Sequence, residues 1–350
     1  MSKYSEIAER LEKEIAEGRF SPAGKLPTEH ELVSRFGVSR QTIRQAILSL
    51  KNRGVVYQIQ GSGTYVSDSA GTVSRTHGSA FRNILVICTY ISEYIFPSIV
   101  RGIEATFNGT GTRIHIAATG NNVGLERKIL TDVIKLKELD GIIVEGSKTS
   151  FPNPNIPLYR EIEKSGIPFV FLHCAYPELS EAVVVGMDDY AGGKTAVRRL
   201  LDGGCSKICG IFKSDDRQGL MRYAGFSEGA LESGFNLDDL QVRWYTTEDI
   251  IDHGMGLDGE MISAIAKSGE DGIVCYNDQI ASSLIRDFTK QGYQIPRLIS
   301  FDHSYLCEAS AVRFESLGHR KEELGRLAAS KIRNMIEGKK ETSEYLGWLG

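Results

Sequence analysis

Residues 26–66 read LPTEHELVSRFGVSRQTIRQAILSLKNRGVVYQIQGSGTYV. They predict a short helix, a tight turn, a second helix and a small β-hairpin. Thr28 and Glu31 have the spacing of a capping box, and Pro27 discourages an earlier helical start. Leu32, Val33 and Phe36 give this helix an apolar side, and Gly37 is placed to stop it. Ser39 can cap the next helix, where Ile43, Ala46, Ile47 and Leu50 recur at i, i+3, i+4 and i+7. Gly54 ends it. Val55–Gln60 and Thr64–Val66 then flank Gly61-Ser62-Gly63, a hairpin signal. Upstream, a helix over Tyr4–Glu17, closed by Gly18, carries Ile7, Leu11 and Ile15 on one face. This order of elements is a winged helix-turn-helix, which lays one helix in the DNA major groove.

The polar side of that helix holds Arg40, Gln41, Arg44 and Gln45. Arg40 and Arg44 are one turn apart, so both can address one groove, and a guanidinium can take guanine O6 and N7 together. A bare pair of helical arginines is more often a solvated face; the surrounding caps, turn and hairpin favour DNA. Charge agrees. Residues 18–66 hold seven basic and two acidic side chains, whereas residues 68–350 hold 31 basic and 38 acidic. A basic head on an acidic body confines phosphate attraction to one end. The candidate DNA contacts are Lys25, His30, Ser39, Arg40, Gln41, Thr42, Arg44, Gln60, Gly61 and Gly63. Lys25 and His30 are expected at phosphate, and the glycine tip allows close backbone approach.

These residues resemble the DNA-binding domain of the GntR family of bacterial transcription regulators. The matching words are Lys25–Glu29, Gly37–Arg44 and Gly61–Val66. The resemblance covers about the first 67 residues. It implies that Arg40 and Arg44 read DNA and that the wing glycines approach the minor groove.

At 350 residues the chain is expected to hold more than one domain. No apolar run approaches the length of a membrane span, and the N-terminus lacks a signal core, so the cytoplasm is expected. Six cysteines occur, and the closest pair, Cys205 and Cys209, has three residues between its members and no matching partners. Buried reduced thiols are a better reading than zinc, and no metal or cofactor is expected. Residues 68–82 are mostly small and polar and read as a linker between a 1–67 head and an 83–350 body.

The body alternates short apolar runs with helical stretches. The runs are 84–90, 113–118, 140–146, 168–174, 182–187, 207–213, 241–246, 271–277 and 298–302. Such runs argue for parallel sheets covered on both faces. They separate around Asp189–Leu201 into two lobes of a doubly wound α/β architecture, where ligands gather at the carboxyl ends of strands. Those ends carry Tyr90, Tyr94, Phe96, Glu145, His173, Asp188, Asp189, Lys213 and Asp216. Arg222, Asn277, Asp278 and Asp302 complete the set. Carboxylates, amides and an arginine suit hydroxyl groups, and rings cover the C–H face of a sugar. Singly, each could be a loop charge or an N-cap. Gly192-Gly193-Lys194-Thr195 resembles a P-loop, but the leading glycine is replaced by Asp188. Helix packing is the expectation there. No nucleophile elbow is visible.

This body resembles LacI-type regulators and their periplasmic sugar-binding relatives over most of residues 83–337. The resembling words include Thr89–Ile91, Tyr94–Ile99, Arg101–Glu104, Asp140–Glu145, Gly210–Lys213 and Cys275–Asp278. The resemblance implies a periplasmic-binding-protein-like fold in which Arg222, Asp278 and Asp302 bind effector. The expected effector set is Tyr94, Phe96, Glu145, His173, Asp188, Arg222, Asp278 and Asp302. A GntR head on a LacI-type body is most similar to arabinose repressors. It implies a homodimeric repressor of operator double-stranded DNA released by L-arabinose. Another pentose, a nucleoside or a sugar-acting enzyme are the alternatives; an enzyme would need an acid/base pair that is not visible. The stretch Ile295–Ser300 is shorter than usual, His173 is larger than expected, and EYLGWLG (344–350) is not the usual strand-forming tail.

Overall fold

The computed structural model describes residues 3–16, 19–20, 24–52, 55–59, 63–66, 82–91, 94–136, 138–236, 238, 240–253 and 256–350. The chain divides into two compact units, Met1–Ala80 and Phe81–Gly350. Of the expected linker, all but Arg82 lies outside the described residues, as do Glu17, Gly18 and Gly54 at the expected helix ends. No helix among the described residues is long and apolar enough to cross a membrane.

The first unit contains α1 (Lys3–Ala16), α2 (Glu29–Phe36), α3 (Arg40–Asn52), β1 (Val56–Ile59) and β2 (Gly63–Val66). Its core is the periodic set itself: Ile7, Leu11, Ile15, Leu32, Ile43, Ala46, Ile47 and Leu50 are buried with Leu26, Val56 and Val66. Burying each of the leucine, isoleucine and valine side chains favours folding by roughly 1.5–3 kcal/mol. The capping box forms in full: Thr28 Oγ1 accepts from Glu31 N–H at 3.3 Å, and Glu31 Oε2 accepts from Thr28 N–H at 2.7 Å. Gly37 stops α2 at φ 63°, a left-handed conformation that a side chain would strain. Ser39 Oγ accepts from Thr42 N–H at 3.2 Å and so caps α3. The strands β1 and β2 pair antiparallel with Val56 opposite Val66.

The second unit is two parallel sheets. The first lobe holds β3 (Asn83–Cys88), α4 (Phe96–Phe107), β4 (Arg113–Ala118), α5 (Val123–Leu136), β5 (Gly141–Val144), α6 (Ile156–Lys164), β6 (Phe169–Leu172) and β7 (Val183–Met187). The chain crosses at α7 (Asp189–Asp202). The second lobe then adds β8 (Ile208–Lys213), α8 (Arg217–Glu232), β9 (Gln241–Tyr245), α9 (Thr247–Asp252), α10 (Gly259–Ser268) and β10 (Gly272–Cys275). It closes with α11 (Asp278–Gln291), β11 (Arg297–Asp302), α12 (Tyr305–Ala309) and β12 (Glu315–Gly318). The chain returns through α13 (Lys321–Ile336) and ends in β13 (Glu344–Leu346). Sheet orders are β13-β7-β6-β5-β3-β4 and β12-β11-β10-β8-β9.

Alternation decides which face each side chain covers. Ile84, Val86 and Cys88 join one core while Leu85 and Ile87 join the other. All nine apolar runs contain strands, and β12 and β13 are additional. The tail thus corrects its expectation: Glu344–Leu346 pairs with β7, and Leu349 bridges Gly318 at the end of β12. The reason is that an edge strand is fixed by backbone pairing to an open sheet edge, not by burial of its own side chains.

Glycines let two helix pairs touch backbone to backbone. A Cβ on Gly193 of α7 would stand 2.2 Å from the Arg222 carbonyl oxygen of α8, and one on Gly225 would stand 1.9 Å from the Tyr190 carbonyl oxygen. Gly102 and Gly325 do the same for α4 and α13. The P-loop-like run therefore packs a helix, and its Lys194 pairs with Glu228 and Glu232.

Candidate functional site: a DNA-reading face and an interlobe cleft

The polar face of α3 is exposed as its periodicity requires. Arg40, Gln41 and Arg44 are open to solvent, as are Lys25 and His30. Lys25 pairs its backbone with Tyr65 and holds its ammonium 6.0 Å from that ring. Ser39 and Thr42 hydrogen-bond each other at 2.8 Å in the cap. Gly63 opens β2; Gln60 and Gly61 lie outside the described residues. One residue was missed. Glu29, at the start of α2, accepts from Arg40 Nε at 2.9 Å and from Arg44 Nε at 3.0 Å. The Arg40 hydrogen bond, foremost, and the nearby Arg44 hold the Glu29 carboxyl below its usual range despite the cost of desolvation. The only cue in the sequence was an acid at the start of a capped helix, which usually signals the helix dipole instead.

Between the lobes lies a cavity of about 560 Å³, a size typical of ligand sites. Tyr94, Phe96, Glu145, His173, Arg222 and Asp302 line it, so six of the eight expected effector residues meet there. Thr89 donates to Glu145 Oε2 from its N–H at 2.7 Å and its hydroxyl at 2.6 Å. His173 Nε2 stands 3.7 Å from Glu145 Oε1, and His173 Nδ1 is buried without a partner among the described residues. The Tyr94 hydroxyl donates to Asp302 Oδ2 at 2.6 Å and accepts from Asp278 N–H at 3.2 Å, joining the two walls.

Arg222 is buried. Its Nε donates to Asp189 at 2.8 Å and its Nη1 to the Tyr276 carbonyl. Burial raises the Asp189 and Asp302 carboxyls above their usual range, with Arg222 partly offsetting it in each. Lys213 is also buried; desolvation opposes its charge, but Asp216 at 2.5 Å and Asp215 at 3.6 Å outweigh it and raise its pKa.

Two expected ligands do not line the cleft. Asp188 caps α7, accepting from Ala191 N–H at 2.9 Å. Asp278 is the first residue of α11, after the N-cap Asn277, and its carboxylate is spent on serines. It accepts from the hydroxyls of Ser300, Ser304 and Ser316 and from Ser304 N–H at 2.6 Å. It ties β11, β12 and the turn before α12 together.

Lobe-to-lobe bonds were also missed. Asn121 Nδ2 donates to Thr247 Oγ1 at 2.6 Å, Ser150 Oγ to the Ser214 carbonyl at 2.5 Å, and Lys148 pairs with Glu248. Asn121, Lys148, His173, Asp302 and His303 all have positive φ, and all lie at or shortly after strand ends. Strained backbone clusters at working sites. The strand-end rule could have found Asn121 and Lys148.

The chain matches the family model of bacterial regulatory proteins, gntR family, over residues 3–66 and that of the periplasmic binding protein-like domain over residues 197–346. It is 38% identical over 342 residues to an arabinose metabolism transcriptional repressor of Halalkalibacterium halodurans, covering 96% of this chain and 90% of that one. It is 33% identical over 340 residues to one of Geobacillus stearothermophilus, covering 96% and 92%. Among solved structures it is similar to a periplasmic binding protein/LacI transcriptional regulator of Alkaliphilus metalliredigens complexed with D-xylulofuranose. The TM-score is 0.63 at 21% identity, over 76% of this chain and 96% of that one. A LacI family regulator of Enterococcus faecium with bound ribose gives 0.64 at 21%, over 76% and 96%. These two likenesses show the fold alone. The chain belongs to the gntR family of bacterial regulatory proteins, in the group that joins this head to a periplasmic-binding-protein-like body and includes the two arabinose metabolism repressors.

Proposed function

We propose that this protein is a transcription repressor that holds operator DNA through residues 1–67 and releases it when L-arabinose fills the cleft of residues 83–350. The observation that carries the reading is the cleft's donor set. Arg222 and Asp302 from one side face Glu145 and His173 from the other, with Tyr94 and Phe96 as rings. Such a set matches the hydroxyls and C–H face of a small sugar. His173 Nδ1, buried without a partner among the described residues, is a polar atom that a sugar hydroxyl would satisfy. The names of the two relatives matched over 96% of this chain support L-arabinose as the sugar. The Tyr94–Asp302 bond across the cleft explains how sugar changes the lobes: a ligand competing for Asp302 binds the two lobe arrangements unequally, as any effector must. Residues 68–82 serve as the linker. The protein works as a cytoplasmic homodimer without catalytic activity.

A thermal-shift series of pentoses and hexoses tests this, because a ligand bound only to the folded state stabilises it by about 2.7 kcal/mol at a hundredfold excess over Kd. L-arabinose should give the largest shift and dissociate operator complexes. A larger shift with ribose or a nucleoside would replace the effector, and sugar consumption over hours would refute the regulator.

A further inference from the structure

Trp348 lies in the C-terminal tail, outside the lining of the cleft, yet its ring centroid is 5.0 Å from the guanidinium carbon of Arg222. Tyr276 and Phe301 sit at 4.7 and 4.4 Å from the same carbon. Three aromatic faces thus enclose one buried cation. Phe301 and Trp348 meet edge-on at 5.0 Å.

The indole is itself held. Its Nε1–H donates to the Asp188 carbonyl at 3.0 Å, and the Asp188 N–H donates to Leu346 O at 2.9 Å. Gly192 leaves it room, since a Cβ there would stand 2.7 Å from the indole nitrogen. Leu349 exchanges both backbone hydrogen bonds with Gly318 at 2.9 Å, and Arg320 Nε donates to Gly347 O at 3.0 Å. The tail is therefore bonded to β7 of the first lobe on one side of Trp348 and to the end of β12 of the second lobe on the other.

We propose that Trp348 is a positioning residue for the effector site: it stacks behind Arg222, fixes the plane of the guanidinium facing the cleft, and so sets sugar affinity from the tail. Arg222 reaches Asp189 and the Tyr276 carbonyl through Nε and Nη1. Those two bonds fix the group at two corners, and the faces of Tyr276, Phe301 and Trp348 hold its plane. Trp348 closes this cage from the tail and limits tilting before sugar arrives, which lowers the cost of binding. The proposal rests on the cleft being the sugar site.

The chain has two tryptophans, Trp244 and Trp348, so in a W244F background all tryptophan emission comes from Trp348. The contact is first read without ligand: R222M in that background should change the emission, and unchanged emission overturns the contact. L-arabinose added to W244F should then change emission with the same midpoint as operator release. Calorimetric titration should show W348L, which keeps bulk but loses the π-face, binding L-arabinose about 5- to 30-fold more weakly. W348F, which restores a ring, should recover most of that loss. R222K with W348L should bind no more weakly than R222K alone, because both act through one group. Parental affinity in W348L, or simple additivity in the double variant, overturns the proposal. If the parent binds no L-arabinose while the ligand-free emission change is present, the proposed effector falls and the contact stands.

Discussion

Arg40 and Arg44 project from α3 with side chains 69% and 61% exposed, and Glu29 clasps both. An exposed pair of this kind is worth little, about 0–1 kcal/mol, so phosphate or a guanine edge can take the guanidinium groups over. Arg44→Ala should therefore weaken operator binding by about 1–3 kcal/mol and relax base preference at one position, read by binding isotherms at fixed salt. Equal affinity for mutant and parent would remove Arg44 from the reading face. Arg222 is the opposite case, buried with two of its nitrogens already bonded. A lysine supplies a point charge and none of the fork geometry. Arg222→Lys should need at least about tenfold more sugar to release operator, measured by titrating sugar into the mutant–operator complex. Release at the parent's sugar concentration would take Arg222 out of the site. The helical period placed the two head arginines correctly. It could not show the Glu29 clasp, because Glu29 lies 11 and 15 residues from its partners and meets them only across the turn.

Elements form here where local chemistry and packing agree. The box joining Thr28 and Glu31 starts α2, and its hydrogen bonds, the backbone one foremost, hold the Glu31 carboxyl below its usual range. A carboxyl whose folded pKa is depressed adds stability that is present above the unfolded value and is lost as pH falls through the folded one. The head should thus melt higher in the parent than in Glu31→Ala at neutral pH, and the two melting curves should draw together as pH falls below the ordinary carboxylate range. Curves separated equally at neutral and acidic pH would exclude the carboxylate as the source. Gly193→Ala probes the α7–α8 contact. A methyl group 2.2 Å from a carbonyl oxygen forces the helices apart. The cost should be on the order of 1–3 kcal/mol or more, read from the denaturant midpoint. The caps and periods of the head and the nine apolar runs of the body were legible because they are local. β13 was not, because three residues with little burial pattern become a strand only where β7 offers them an edge.

Across the whole chain the charges segregate, with the basic excess confined to residues before 67 and a net negative body after it. A head that uses about five phosphates should lose a few hundredfold in operator affinity between roughly 50 and 200 mM salt. A flat salt profile would leave the charge asymmetry without a role in DNA binding. The sequence alone determined the winged helix-turn-helix, the nine strands, the two-lobed α/β body and the strand ends that surround the cleft. These follow from hydrophobic period and from turn and capping residues a few positions apart, and such interactions are encoded where they act. The tertiary structure alone decided which strand-end groups face the cavity. Asp278 lies shortly after a strand and Arg222 lies on the helix after one, yet the first turns to serines 22, 26 and 38 residues away while the second is caged by Tyr276, Phe301 and Trp348. A side chain's direction is set by the partners that satisfy its charge, and for buried groups those partners come from distant segments that only folding brings together.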